Sequence, residues 1–524
     1  MKKLTVFIVL VLVAAIAWWA WLWSPAGWAL LVAVPLALLL IYDVTQQRHT
    51  ILRNYPIFGH LRYVLEDFRT HIRQYFIQGD DEGVPFYREQ RSIVYQRAKR
   101  EIDSHPFGSI QNMYAVGYEW MNHSINALDL PPQEPRIVVG GDQCTQPYSA
   151  SRFNISAMSF GSLSAAAIEA LNRGAHTGNF FHNTGEGGIS KYHLKHGGDL
   201  VWEIGTGYFG CRTASGKFDV HMFRDNARRD VVKMIELKLS QGAKPGGGGL
   251  LPGVKVSAEI AAARGVPIGR DVHSPASFDE FHTPTGLLEF VQRLREASGG
   301  KPTGFKLCIG RPVEFLAVVK AMLETGIVPD FITIDGSEGG TGAAQQELSD
   351  SIGMPLREGL MFANNALVGA GLRDRLRLIA SGKVITGFDI AAKLAMGAEL
   401  CNSARGFMFA LGCIQARVCN KNICPTGITT MNKWRTHGLA VEDKYKRVAA
   451  YHEQTIRSFI NILGACGIAD PAALDPGMLN RRVSQNEIRT YRDLYPSLQN
   501  GELLTGHGPE LYAGMWQNAS SSHF

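Results

Sequence analysis

The sequence predicts an α/β protein built around a TIM-type (β/α)8 barrel, preceded by an N-terminal transmembrane helical hairpin and a mixed helical lead-in. Three observations support this prediction. Short apolar strands alternate with helical stretches through the middle of the chain. Glycine-rich loops follow several of these strands, and the amino terminus carries a long uncharged stretch. An open, doubly wound sheet is the alternative to a closed barrel.

The predicted barrel begins with the strand Phe153–Met158 and the helix Ser164–Arg173, for which Ser162 or Ser164 is a plausible cap. Later strands are predicted at Gly304–Ile309, Asp330–Ile334, Arg377–Ala380 and Ala398–Ser403, and helices at Pro312–Thr325, Leu356–Val368 and Gly387–Met396. Because repeated strand–helix units form a parallel sheet with helices outside it, this order favours a barrel.

Glycine-rich loops come directly after three predicted strands, at Asp335–Gly342, at Gly382 with Gly387, and at Asn402–Gly406. The last two follow the expected seventh and eighth strands, where barrels commonly bind a phosphate group on backbone N–H donors. Ordinary tight loops would show the same glycines. No G-x-G-x-x-G follows the first strand and no P-loop motif occurs, so a mononucleotide such as FMN fits better than NAD(P) or ATP.

The composition excludes some classes of protein. The net charge of +6 is modest and the basic residues are scattered, so nucleic-acid binding is not expected. Five of the eight cysteines are spread widely along the chain and form no disulfide framework. A reducing compartment fits this pattern.

The amino-terminal stretch Leu4–Tyr42 predicts a membrane anchor, because it contains no charged residue and is about twice as long as one spanning helix. A Ser-Pro-Ala-Gly turn divides it into helices at Leu4–Trp23 and Trp28–Tyr42. Basic residues flank both ends, so we expect an inner-membrane protein with a cytoplasmic catalytic domain. A cleaved signal peptide is the alternative, but it leaves the second apolar run unexplained.

These features predict four segments. Residues 1–43 form the hairpin, and residues 44–145 form a lead-in segment on the barrel, with helices at Tyr63–Phe76 and Glu89–Ile102. Residues 146–430 form the barrel with a cysteine-rich loop, and residues 431–524 form a helical extension.

The cysteine loop is the strongest chemical motif in the chain. Cys413, Cys419 and Cys424 have the spacing C-x5-C-x4-C, and Pro425 follows the third. Three cysteines in one short loop that ends in Cys-Pro are typical of an iron–sulfur site. Structural zinc would require a fourth ligand close by, and none is present. The alternative is three buried or free cysteines, and a ligand count of three leaves both a three-iron and a four-iron cluster open.

Two charged residues are candidates for catalysis. Lys306 lies between apolar residues on a predicted barrel strand, so its side chain would point inward and could stabilise negative charge on a reduced flavin. A snorkelling lysine at a strand end is the alternative. Glu186, between glycines of an early barrel loop, could contact a substrate amine, or it could be an ordinary surface glutamate.

Five motifs, in the same order, resemble the synthase domain of glutamate synthase from about residue 150 to 430. They are Met158–Ser164, Thr184–Gly188, Ala243–Gly246, Asp335–Gly342 and the cysteine loop. The resemblance implies a barrel that holds FMN and a [3Fe–4S] cluster and reduces 2-iminoglutarate, formed from 2-oxoglutarate and ammonia, to glutamate.

The resemblance also implies roles for individual residues. Cys413, Cys419 and Cys424 would bind the cluster as metal ligands, Lys306 would lie at the flavin edge, and Glu186 would lie in the active-site loop. We therefore predict Lys306 and Glu186 as catalytic residues. The predicted cofactor-binding residues are Ala157, Met158, Ser159, Lys306, Asp335, Gly339, Gly340, Thr341, Gly342, Gly382, Gly387, Ser403, Ala404 and Arg405.

Several features depart from the family pattern. The family's glutaminase domain begins with a cysteine nucleophile, whereas Met1 here is followed by Lys2, so no glutaminase activity is expected of this chain. Gly247 stands where an acidic residue is usual. The carboxyl-terminal β-helix of the family is replaced by residues that look helical. We expect a membrane-anchored, stand-alone relative that keeps the cofactors more closely than the substrate.

The predicted function is that of a glutamate-synthase-type oxidoreductase acting on CH–NH2 donors in glutamate biosynthesis. Its expected partners are 2-oxoglutarate, ammonia or another amino donor, and an electron donor such as ferredoxin or a separate reductase subunit. One alternative is a membrane-bound oxidoreductase for amines or N-alkyl amino acids. Another is an electron-transfer component that keeps the cofactors but uses no 2-oxoglutarate.

Overall fold

The computed structural model describes residues 7, 11, 13–19, 21, 28–104, 106–495, 497–506 and 508–524. The chain divides into two compact units, Met1–Arg88 and Glu89–Phe524. In the first unit the helices are α1 (Leu30–Thr45), α2 (Thr50–Asn54) and α3 (Gly59–Ile72), and a π-helical turn at Arg73–Ile77 follows.

A buried carboxylate ties the first unit together. Asp43, near the end of α1, accepts hydrogen bonds from the backbone N–H of Ile57 at 2.8 Å and from the His60 ring at 2.9 Å. Since an unpaired buried carboxylate would be costly, these two bonds fix the start of α3 against the end of α1.

The sequence-based prediction of an inner-membrane anchor is wrong. Within the described residues, no helix is long and apolar enough to cross a membrane. Helix α1 is apolar but contains only 16 residues, which span about 24 Å, less than the roughly 30 Å of a bilayer core. Half of the positions of the first predicted helix, Leu4–Trp23, lie outside the described residues.

The second unit contains a closed barrel of parallel strands, which confirms the predicted barrel. The barrel strands, in chain order, are β4 (Phe153–Ile155), β5 (His182–Asn183), β6 (Leu200–Ile204), β7 (Val232–Lys238), β10 (Thr303–Leu307), β11 (Phe331–Asp335), β12 (Arg377–Ser381) and β13 (Leu400–Ser403). Each pairs in parallel with the next, and β13 pairs with β4 to close the barrel. The other strands are β1 (Glu119–Met121), β2 (Ile137–Val139), β3 (Tyr148–Ala150), β8 (Leu250–Leu251), β9 (Val272–His273), β14 (Leu479–Arg482) and β15 (Ile488–Thr490).

Helices connect and surround the strands. They are α4 (Arg88–Lys99), α5 (Ala165–Gly178), α6 (Lys191–Leu194), α7 (Val220–Ala227), α8 (Ala258–Arg264), α9 (Pro284–Ala297), α10 (Pro312–Thr325), α11 (Gln346–Ser351), α12 (Leu356–Gly369), α13 (Gly387–Ala395), α14 (Arg405–Leu411), α15 (Lys433–His437), α16 (Val441–Ala465), α17 (Tyr491–Leu494) and α18 (Glu510–Asn518). Ser164 caps α5, as predicted, because its hydroxyl accepts a hydrogen bond from the N–H of Ala167.

A hairpin closes the amino-terminal end of the barrel. Strands β2 and β3 pair antiparallel, and their side chains Val139 and Tyr148 join one buried apolar cluster with residues of the barrel strands, among them Met234, Ile379 and Leu400. Apolar side chains fill this end of the barrel. The charged and polar groups of a functional site are therefore expected at the carboxyl-terminal ends of the strands, as in other barrels.

The carboxyl-terminal region combines helices with a small sheet. Helix α16 packs along α5 and α13, and Gly174 of α5 comes so close that an added Cβ would lie 2.4 Å from Val448. Beyond α16, strand β14 pairs with β1 of the lead-in and with β15. The predicted helical extension therefore contains the long α16 and also a strand pairing that the sequence did not indicate.

Three histidines of this unit are buried as neutral side chains. Burial, with Arg136 adding to it, lowers the pKa of His452 to about 3, and burial lowers the pKa of His193 to about 3. Burial and the neighbouring His193 hold the pKa of His182 well below its usual value. In the unfolded chain each would titrate near pH 6.5. The unfolded state therefore binds more protons below that pH, and stability is lost as the pH falls from about 6.5 towards 3.

We expect His452→Phe to weaken this acid sensitivity. His452 stacks on Phe180, with ring centroids 4.0 Å apart, so an aromatic replacement retains the packing. Between pH 7.5 and 5.5 the variant should lose about 1.4 kcal/mol less stability than the parent, because one fewer proton binds on unfolding. Thermal midpoints at both pH values measure this, with the exposed His437→Phe as control. An equal acid loss in parent and His452→Phe would contradict the assignment.

Candidate functional site

A charged group occupies the interior of the barrel. Lys306, on β10, is 4% exposed and forms an ion pair with Glu203 of β6, while Glu236 of β7 lies 3.8 Å from its ammonium. Burial alone would lower the pKa of Lys306, but the two carboxylates outweigh burial and raise it. Lys306 therefore points into the barrel as predicted, as a fixed cation held by two carboxylates.

The second carboxylate of this group is fully hydrogen-bonded. Glu236 accepts from Asn183 Nδ2 at 2.7 Å and from Thr333 Oγ1 at 2.6 Å. Burial, supported by repulsion from Glu203, raises its pKa to about 7, although Lys306 acts in the opposite direction. One ammonium and two carboxylates thus share a water-poor space. Sequence reasoning missed both glutamates, although an acidic residue inside the apolar strand Leu200–Ile204 was a visible signal.

A second charged group lies at the carboxyl ends of the strands. Glu186, in the loop after β5, forms an ion pair with Lys238 at 3.2 Å. Burial alone would raise the pKa of Glu186, but Lys238, Lys244 and Arg264 lower it to about 2. Sequence reasoning named only Glu186. Three cations around one carboxylate leave an excess of positive charge in a largely buried place, and such a place favours an anionic ligand.

Arg264 and Gly249 shape this group. The guanidinium of Arg264 donates from Nη2 to Ser159 Oγ and to the Phe160 carbonyl, both at 3.2 Å, and it lies over the ring of Phe209. Its Nε has no hydrogen-bond partner. A Cβ on Gly249 would lie 2.6 Å from Glu186 Oε1, so the glycine allows the loop after β7 to approach the carboxylate.

The predicted glycine loop after β11 joins the same region. Asp335, the last residue of β11, accepts a hydrogen bond from the N–H of Gly242 at 2.8 Å. The carbonyl of Gly340 accepts from Gln241 Nε2 at 2.6 Å. These bonds join the loops after β7 and β11. The Arg405 side chain packs against Gly340, where a Cβ would lie 2.9 Å from its Nε.

The loops after β12 and β13 contain the predicted phosphate-binding residues. Gly382 has φ +150, and Ser403 donates its hydroxyl to the carbonyl of Val384 at 2.5 Å. Arg405 donates to the carbonyl of Glu338 at 2.6 Å, and burial lowers its pKa to about 10 despite nearby carboxylates. Gly387 differs, because a Cβ there would lie 2.5 Å from the Phe459 backbone, so this glycine permits close packing of α13 on α16.

The remaining predicted residues fall into three places. Strand β4 is followed by Ala157, Met158 and Ser159. The loop after β5 approaches them closely, because a Cβ built on Gly185 would lie 2.6 Å from the backbone N of Ser159. Gly339 and Thr341 belong to the loop after β11, where Thr341 donates to the carbonyl of Ala343. Open space surrounds the Cβ position of Gly342. Ala404 precedes the first residue of α14.

The cysteine loop follows α14. Tyr95 of α4 donates to the carbonyl of Cys413 at 2.6 Å, and Thr426 Oγ1 lies 3.3 Å from Cys424 Sγ. Burial raises the pKa of the Cys413 thiol to about 12, and the neighbouring Cys419 and Cys424 add to the increase. Burial would raise the pKa of the Cys424 thiol, but hydrogen bonding, led by the Thr426 hydroxyl, outweighs burial and lowers it. The thiols of Cys419 and Cys424 are thus within electrostatic range of Cys413.

The described part of the chain contains no preformed metal site. Among those residues, no three His, Cys, Asp or Glu side chains lie close enough together to hold a metal ion. The iron–sulfur site at Cys413, Cys419 and Cys424 therefore stays a prediction.

Comparison with known proteins places the chain among described relatives. Residues 111–469 match a family described as "Conserved region in glutamate synthase". A glutamate synthase large subunit-like protein, YerD of Bacillus subtilis, is 38% identical over 484 residues, which cover 84% of this chain and 92% of that protein. The archaeal-type glutamate synthase [NADPH] of Thermotoga neapolitana is 32% identical over 313 residues. The archaeal glutamate synthase [NADPH] of Archaeoglobus fulgidus is 32% identical over 314 residues. In both cases the match covers 60% of this chain and 58% of the relative.

Among solved structures, a mandelate oxidase shares 13% sequence identity with this chain at a TM-score of 0.42. The match covers 82% of this chain and 96% of the mandelate oxidase.

We expect Lys306→Met to destabilise the protein, because it leaves Glu203 and Glu236 buried without their cation. Removing one partner of a buried ion pair costs roughly 3–5 kcal/mol. The double variant Lys306→Met with Glu203→Gln should recover much of this loss, because it removes the carboxylate that pairs directly with the lysine. Denaturant unfolding of the three proteins measures both effects. A single variant as stable as the parent would contradict the described network.

Proposed function

Because this chain belongs to the glutamate synthase family, we propose that it is an FMN- and iron–sulfur-dependent oxidoreductase of glutamate synthase type. It would reduce the imine formed from 2-oxoglutarate and ammonia, or another amino donor, to glutamate. An external donor, such as a ferredoxin or a separate reductase subunit, would supply the electrons. The observation that carries the proposal is the excess of positive charge around Glu186, where Lys238, Lys244 and Arg264 meet.

The residues at the ends of β12 and β13 fit an FMN phosphate. The donors that such a group needs are present as backbone N–H groups near Gly382, Ser403 and the start of α14, and as the half-buried guanidinium of Arg405. Lys306, kept charged by Glu203, would set a positive charge against the flavin ring. When bound, FMN supplies the hydride for reduction of an imine carbon.

The cation group at the mouth fits a dicarboxylate substrate. Lys238, Lys244 and Arg264 would bind substrate carboxylate oxygens through charge-assisted hydrogen bonds. The Glu186 carboxylate has its pKa lowered to about 2, so it is ionised at neutral pH. It would therefore hold the positively charged nitrogen of an ammonium or iminium group. The site would thus orient both ends of a charged imine and favour its protonated, more electrophilic form.

The cysteine loop also fits an iron–sulfur cluster. Cys413, Cys419 and Cys424 supply three thiol ligands, which suits a [3Fe–4S] cluster. Lys255, which is 3% exposed, has Cys419 and Cys424 as its favourable charged neighbours and no described carboxylate among them. Since buried charges are normally paired, this lysine favours an anionic group at the cysteines. Electrons from the external donor would enter the protein here.

We expect the reduced, FMN-loaded protein to be reoxidised by 2-oxoglutarate plus ammonium. In anaerobic stopped-flow experiments, Lys244→Met should raise the 2-oxoglutarate concentration for half-maximal reoxidation by about 10- to 100-fold, the effect of one charge-assisted hydrogen bond. The exposed Lys421→Met is the control.

Two outcomes would contradict the proposal. One is a reduced flavin that is indifferent to 2-oxoglutarate and ammonium. The other is an oxidised flavin that N-alkyl amino acids reduce while 2-oxoglutarate has no effect on the reduced form, which would favour an amine oxidoreductase.

We expect Cys419→Ser to remove iron while the barrel remains folded and flavin-loaded, because the cysteine loop lies outside the barrel strands. Iron analysis and EPR of anaerobically prepared protein measure the loss, and Cys466→Ser, outside the loop, is the matched control. Zinc in the parent protein, or no metal at all, would overturn the cluster assignment.

A further inference from the structure

Lys255 connects the cysteine loop to the barrel. It ends a 3₁₀ turn at Gly253–Lys255, and its ammonium donates to the carbonyl of Ser162 at 3.1 Å and to the carbonyl of Cys419 at 3.2 Å. Ser162 belongs to the loop after β4. A single buried side chain therefore holds one predicted cluster ligand against the barrel.

The charge of Lys255 is not balanced by a carboxylate. Lys255 is only 3% exposed, its ammonium hydrogen-bonds to two carbonyl oxygens, and no carboxylate of the described residues lies within ion-pair distance of it. Carbonyl oxygens satisfy the ammonium's hydrogen bonds but carry no net charge. A buried ammonium is normally stabilised by an anion, and the cysteine loop, whose Cys419 carbonyl it contacts, is the place where a thiolate-bound group would lie.

We propose that Lys255 is the counter-ion of the cysteine-bound cluster, a positioning residue that fixes Cys419 and raises the cluster's reduction potential. This inference rests on the proposed function. A cluster held by these cysteines would become more negative by one charge on accepting one electron from the external donor. A fixed cation beside Cys419 would stabilise that reduced form more than the oxidised one.

The segment that connects β7 to Lys255, residues 239–255, also reaches the candidate active site. It begins after Lys238, which pairs with Glu186, and it runs to Lys255 at the cysteine loop. Arg264, further along the chain, acts electrostatically on both Glu186 and Lys255. The position of Lys255 therefore fixes the cysteine loop relative to the charged groups at the barrel mouth.

The test compares Lys255→Met, which keeps the length of the side chain but removes its charge, with Lys255→Arg, which keeps the charge. Lys421→Met is the matched control, because it removes a lysine from an exposed position in the same loop. Iron content, FMN content and the EPR-monitored midpoint potential of the cluster are measured for the holoenzyme. We expect Lys255→Met to lower the equilibrium constant of one-electron reduction at least about tenfold, equivalent to about 59 mV. FMN content should be unchanged.

The outcomes separate this inference from the proposed function. A lower potential in Lys255→Met, or loss of iron from it, supports the counter-ion role if Lys255→Arg retains the cluster near the parent potential. Full iron in Lys255→Met with the potential of Lys421→Met overturns the inference and leaves the proposed function standing. A parent protein that holds no cluster overturns both.

Discussion

A lysine inside a closed barrel must be paired, and this requirement organises the interior. Lys306 is held by Glu203, and Glu236 stands close by with its own hydrogen bonds to Asn183 and Thr333. These five side chains come from β5, β6, β7, β10 and β11. Because each depends on its neighbours for charge balance or hydrogen bonding, the network fixes the facing residues of adjacent strands. Below it lies the apolar plug of the β2–β3 hairpin, and above it lies the open end of the barrel.

Charge balance changes systematically from the interior to the mouth. In the interior the Lys306 ammonium is the cation for two carboxylates, whereas at the barrel mouth three cations surround the Glu186 carboxylate. At the cysteine loop, Lys255 has no carboxylate among its described charged neighbours. Carboxylates thus outnumber cations in the interior, whereas positive charge is left over where an anionic substrate or cluster is proposed. A buried surplus of charge is costly in an isolated protein, so a surplus in two places favours ligand binding at both.

The sequence predicted the regular parts of the fold well. Helix α10 begins and ends as predicted, and the predicted strand Gly304–Ile309 overlaps β10, because long periodic segments between glycine-rich loops are informative. It did not predict β5, which has only 2 residues. The inner-membrane anchor was wrong because hydropathy reports how apolar a stretch is and not how long its helices are, and α1 has only 16 residues.

The site was predicted in part. Lys306 and Glu186 were found because each interrupts a pattern, an apolar strand in one case and a glycine run in the other. Their partners Glu203, Lys238 and Arg264 were missed, since which residues meet across a barrel depends on strand register. Gly387 is predicted to bind phosphate, but in the structure it lies where α13 packs closely on α16. A sequence alone cannot distinguish a glycine needed for close packing from one needed for ligand binding.

The central claim is that the positive charge at the barrel mouth binds a dicarboxylate. The most direct measurement is a titration of the oxidised, FMN-loaded protein, at constant ionic strength, with 2-oxoglutarate and with the monocarboxylate 2-oxobutyrate. Perturbation of the flavin absorption spectrum reports binding. The account predicts a saturable change with 2-oxoglutarate at concentrations at least about tenfold below those needed for 2-oxobutyrate, because one charge-assisted contact is worth at least about 1.4 kcal/mol. Equal responses to the two acids, or no response to either, would contradict it.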